Sequence, residues 1–132
     1  MKNSLVIQFR VVLLGVLPMI WRRFLISSDA TFWDLHVAIQ DAMGWEDRHL
    51  HQFRVAKLSS GHLDSIGIPD PGGPSPFLPG WNIRLDEYLG PDMPLFLYEY
   101  DFGDSWLHEV VLERIFETDK PFPVCTEGEG DC

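Results

Sequence analysis

Apolar and polar residues alternate over the first ten interpretable positions. Leu5, Ile7, Phe9, Val11 and Leu13 fall on one side, and Val6, Gln8, Arg10, Val12 and Leu14 on the other. A period of two predicts a β-strand with one buried face. Gly15-Val16-Leu17-Pro18 breaks the pattern, and Ile20 to Ile26 resumes it, so the two strands form a hairpin. The period then changes. Phe32, Leu35, Ile39, Ala42 and Met43 share one face of a helix over residues 31–43. Thr31 with Asp34 three residues later makes a capping box, with Asp in place of the usual Glu or Gln, and Gly44 is a suitable stop.

A third strand is expected from His49 to Ala56, with His49, His51, Phe53 and Val55 on one face. Residues 59–82 are Pro- and Gly-rich and predict a long irregular loop, with a short extended piece at Leu63–Ile66. Ile83 to Leu89 predicts a helical turn. Leu95 to Phe102 and Ser105 to Ile115 predict a fourth and a fifth strand around a Gly103-Asp104 turn. The expected architecture is α+β: a mixed five-stranded sheet packed on one main helix, in the order ββα-β-ββ, arranged like a β-grasp. Residues 1–116 are expected to form a single domain, and 117–132 an acidic tail.

Composition narrows the classes of function. The 132 residues carry a net charge of −10, with 45% apolar and 13% aromatic residues, as in a globular domain. Residues 1–60 hold seven bases and five acids, residues 61–98 one base and five acids, and residues 99–132 two bases and ten acids. This balance argues against nucleic acid, whose phosphates call for clustered Lys and Arg, and suits cations or basic partners. The chain has no apolar run long enough to cross a membrane and no secretory leader pattern, and Cys125 and Cys132 do not make a disulfide framework. A cytoplasmic location is expected.

Three stretches carry a family resemblance: Leu14 to Arg23, Thr31 to Trp45 continuing to His49–Phe53, and Tyr98 to His108. In that order they resemble the plasmid pRiA4b ORF-3-like family over nearly the whole chain. The resemblance implies a passenger of plasmids and mobile elements with no established biochemical role. Some members carry a resolvase label, but this chain has neither a serine-recombinase pattern nor a basic arm. Members continue past the equivalent of Cys125 into a Pro-Pro-Glu-Asp segment, so the tail here is expected to be truncated.

Candidate chemistry concentrates in histidines and acids. His49, His51, Asp101, Asp104 and His108 are candidate ligands for a divalent metal if the last three strands are neighbours, because imidazole and carboxylate suit zinc and related ions. His36 flanks the apolar stripe of the helix. Asp101, Asp104, His108 and Glu109 are candidates for acid–base catalysis, which requires environments that drive their pKa values apart. His-X-His lacks the companion motifs of known metal sites, and Asp104 beside Gly103 is ordinary turn chemistry. Trp21, Arg22 and Arg23 form a small basic and aromatic spot, and Phe77 and Trp81 are candidate anchors for a partner. The balance favours a non-catalytic binding or interaction module whose partner is a protein or a small ligand and which needs no cofactor. The alternative is a metal-dependent hydrolase built on the His and Asp set.

Overall fold

A computed structural model describes residues 4–45, 50–56, 63–69, 77–88, 95–101, 106–118 and 124–129. Eight strands and one α-helix follow in chain order: β1 (Ser4–Leu13), β2 (Ile20–Ser27), α1 (Phe32–Met43), β3 (His51–Ala56), β4 (Leu63–Gly67), β5 (Phe77–Pro79), β6 (Leu95–Tyr100), β7 (Trp106–Thr118) and β8 (Val124–Glu129). They form one sheet in the order β5-β4-β3-β6-β7-β1-β2-β8. Its edge pair β4–β5 is parallel and the other pairs are antiparallel.

This topology overturns the five-stranded, β-grasp-like sheet. Three strands are added to that reading. β4 takes up the short extended piece expected at Leu63–Ile66 in the Pro/Gly-rich stretch, and β5, in the same stretch, is too short to display a period. β8 arises in the acidic stretch after residue 117, where Glu and Gly have low strand propensity. Pairing with neighbours supplies what propensity does not: Val124, Cys125, Glu127, Gly128 and Glu129 align with Leu25, Phe24, Arg23, Arg22 and Trp21 of β2.

Helix α1 starts and stops as its sequence dictates. The Thr31 side chain accepts from the Asp34 amide at 3.2 Å, and the Asp34 carboxylate accepts from the Thr31 amide at 2.9 Å. Gly44 ends the helix in the left-handed region at φ 76°, which costs glycine little. Arg22 reaches from β2 to the same end, donating from Nε to the Ala42 carbonyl at 2.8 Å. A guanidinium there satisfies a helix-end carbonyl and complements the negative end of the dipole.

One face of the sheet closes against α1. Ile7, Phe9 and Val11 of β1, Phe24 and Ile26 of β2, Phe53 and Val55 of β3, and Phe96 and Tyr98 of β6 meet Phe32, Leu35 and Ile39 of α1 in a single core. On the opposite face Glu113 gathers Arg23, Gln8 and, at 4.0 Å, Arg10. The turn Leu85–Glu87 and the segment before it are strapped to the start of α1 through Phe32 N–H to the Ile83 carbonyl (3.0 Å) and Leu85 N–H to the Ala30 carbonyl (2.9 Å).

Candidate functional site

Strand register brings the histidines to the helix side of the sheet. His51 of β3 aligns with Tyr100 of β6, and Tyr98 of β6 aligns with both Phe53 of β3 and His108 of β7. Alternation then sends His51, Phe53, Tyr98, Tyr100, Trp106 and His108 to one face. α1 contributes Trp33, His36 and Gln40 from above, one helical turn or less apart.

The result is a run of touching rings through the core. The Trp33 ring centroid lies 5.1 Å from that of His36. The His36 and His51 rings stack face to face, 3.6 Å apart and 9° from parallel. His51 continues to Tyr98 at 5.9 Å, and Tyr98 to His108 at 5.3 Å. His108 meets Trp45 edge-on at 6.4 Å, and Trp45 covers Tyr100 and Trp106 at 5.5 and 5.8 Å. Two of the three stretches that carry the family resemblance, the second and the third, contribute every ring of this run.

Polar atoms inside the run are sparingly satisfied. The Tyr98 hydroxyl accepts from Gln40 Nε2 at 2.9 Å and lies 2.7 Å from His36 Nδ1. His108 Nδ1 lies 3.2 Å from the Tyr98 carbonyl, which can only accept, so Nδ1 carries the proton. That leaves a lone pair on His108 Nε2, which is buried and unpartnered, as are His51 Nδ1 and Trp45 Nε1. Burial pushes the His51 pKa down from 6.5 to about 3, with the charge of His36 adding to the effect. Burial likewise takes His108 down to about 4, against the raising influence of its backbone bonds. Both imidazoles are therefore neutral at pH 7.

The register brings the described candidates partly together. His51 stacks on His36 and also packs on Tyr98, and His108 packs on Tyr98 and Trp45. Among the described residues, no three His, Cys, Asp or Glu side chains lie close enough to hold a metal ion together. Asp101 ends β6 at φ 62° and donates its amide to the Leu50 carbonyl at 2.9 Å. Glu109 follows His108 on β7 and so faces the other side of the sheet. His49 and Asp104 lie outside the described residues.

Arg23 makes two bonds to Glu113, at 2.6 and 3.0 Å, and its guanidinium sits 5.3 Å from the Trp21 ring. Arg22 is buried beneath the end of α1. Trp81 is half exposed on the turn Gly80–Asn82, Phe77 opens β5, Cys125 lies in β8, and Cys132 is outside the described residues.

One opening adjoins the ring run. A groove of about 470 Å³ lies between the end of β2 and the first turns of α1, lined by Ile26, Ser27, Asp29, Ala30, Trp33, Asp34 and Val37. Its size is that of a small-ligand or side-chain site. Trp33 belongs to both features: it lines the groove, and its ring packs against His36. The candidates drawn from sequence omit Trp33, Gln40, Trp45 and Tyr98, although all four lie in the stretches that carry the family resemblance.

Comparison with known proteins agrees with the motifs. The chain is 31% identical over 129 residues to the uncharacterized protein y4hQ of Sinorhizobium fredii, covering 96% of this chain and 63% of that protein. It therefore spans rather less than two thirds of that relative's length. The crystal structure of a protein of unknown function, MM3350 from Methanosarcina mazei Go1, superposes with a TM-score of 0.88 at 36% identity, covering 96% of this chain and 70% of that one. The profile of the plasmid pRiA4b ORF-3-like proteins matches residues 5–132, and the chain belongs to that family.

Proposed function

We propose that the chain is a non-catalytic binding module and that it receives its ligand in the groove at the start of α1. The groove itself carries this reading: its lining combines Trp33 with the apolar Ile26, Ala30 and Val37, and its polar groups are confined to Ser27, Asp29 and Asp34. Mostly apolar walls with a few placed polar groups are the usual make-up of a recognition site. The groove is also preformed. The capping box fixes Thr31 and Asp34, and the backbone bonds of Phe32 and Leu85 hold the adjoining loop. A site that needs no reordering on binding saves affinity.

A metal-dependent hydrolase draws on the unpartnered nitrogens of His51 and His108. Those rings are buried in the core on strands either side of Tyr98, and the nearby acid Glu109 faces away. The binding reading therefore has the better support. Two-dimensional NMR with a panel of small apolar and aromatic fragments tests it. Saturable shifts confined to Ile26, Ala30, Trp33 and Val37 are expected. Shifts absent from these residues throughout the panel, or turnover of an ester or phosphodiester with stoichiometric metal, would overturn it.

A further inference from the structure

We propose that the groove's ligand is a lysine or arginine side chain of a partner polypeptide, flanked there by an apolar residue. This rests on the binding reading above and adds the chemistry of what binds.

Charge complementarity is the first argument. Asp29 and Asp34 line the groove, and Asp86 and Glu87 lie just beyond Asp29, around Arg84. Arg84 already bonds the Asp29 and Asp86 carboxylates, and its own amide donates to Glu87 at 2.9 Å. Among the described residues, four carboxylates against one guanidinium leave the groove mouth negative, in a chain whose net charge is −10. The same three neighbours, Asp86 first, raise the pKa of Arg84, as a negative local field does. The positive end of α1 would oppose a cation here, but Asp34 sits in the first turn and offsets it.

Spare acceptor capacity is the second argument. Asp29 Oδ1 holds Arg84 and Asp34 Oδ2 holds the Thr31 amide, which leaves Asp29 Oδ2 and Asp34 Oδ1 for an incoming donor. The third is the lining. Trp33 is among the groove's residues; indole is the best side-chain partner for a cation, and apolar neighbours suit the alkyl stem that carries it. Val37, on the helix turn after Trp33, is 40% exposed at the groove's edge. It extends the apolar surface beyond one side chain, which favours a polypeptide over a free small cation.

The test uses the full chain and an amidated pentapeptide, Gly-Leu-Lys-Leu-Gly, with analogues carrying norleucine or glutamate in place of the lysine. Saturable NMR shifts at Trp33 and Val37 are expected with the lysine peptide, and about tenfold weaker binding with norleucine, as the loss of one charge-assisted contact implies. Binding should weaken as salt rises. Asp29→Asn should weaken the lysine peptide several-fold and the norleucine peptide by a smaller factor; an equal loss for both would overturn the cationic contact. Equal binding of the lysine and norleucine peptides would overturn the cationic ligand while leaving the groove as a binding site. No binding by any peptide or apolar fragment would overturn both. Butylammonium binding as tightly as the lysine peptide would overturn the polypeptide partner, and peptide-independent dimerisation through Val37 would give the groove to a second copy instead.

Discussion

Acid should destabilise this protein through its buried histidines. His51 and His108 titrate at about 3 and about 4 in the folded chain, both lowered by burial from an ordinary value of 6.5. Below pH 6.5 the unfolded chain binds two protons that the folded chain refuses. Their contribution is thus fully present above pH 6.5 and is lost as pH falls towards the folded values. Each proton is worth about 1.4 kcal/mol per pH unit. Between pH 6.5 and 5 the loss is roughly 2 kcal/mol per histidine, or about 4 kcal/mol together. That is a large share of the roughly 5–15 kcal/mol typical of a domain. Glu113, held low chiefly by Arg23, adds to acid sensitivity only near and below its ordinary value of 4.5, so the window from pH 6.5 to 5 isolates the imidazoles. Urea unfolding at half-unit steps from pH 7.5 to 5 measures the slope. A slope near two protons is expected, falling to about one in His51→Gln or in His108→Gln. Constant stability from pH 7 to pH 5 would refute the argument, because it would mean that both rings accept protons in the folded state.

Other outcomes follow from single contacts. Tyr98→Phe removes the hydroxyl bonded to Gln40 and adjacent to His36, all three residues being buried, and should cost about 2–3 kcal/mol in denaturant titrations. Gly67→Ala places a Cβ 2.6 Å from the His51 carbonyl oxygen, so β3 and β4 must part; a loss of at least about 2 kcal/mol and faster hydrogen exchange at Gln52 and Phe53 are expected. Thr31→Ala breaks the capping box and should lower stability by about 1 kcal/mol, read by circular dichroism melting, and it should also weaken ligand binding in the groove that this cap shapes.

The sequence by itself determined the local elements. Period two marked β1, β2, β6 and β7, and the change to a helical period between Thr31 and Gly44 located α1 to within a residue, because the capping box and the left-handed glycine act over one turn. It also marked the histidines as unusual residues on apolar faces. What it could not supply was anything that depends on neighbours distant in the chain. Val124–Glu129 is a strand because β2 offers its backbone an unpaired edge, and Phe77–Pro79 because β4 does. The stack of His36 on His51 joins a helix to a strand, and Tyr98 ties that pair to Gln40. Only strand order could decide that His51 and His108 stand on either side of Tyr98. Backbone pairing and burial are long-range quantities, and the pattern along a chain records one side of each contact without naming the other.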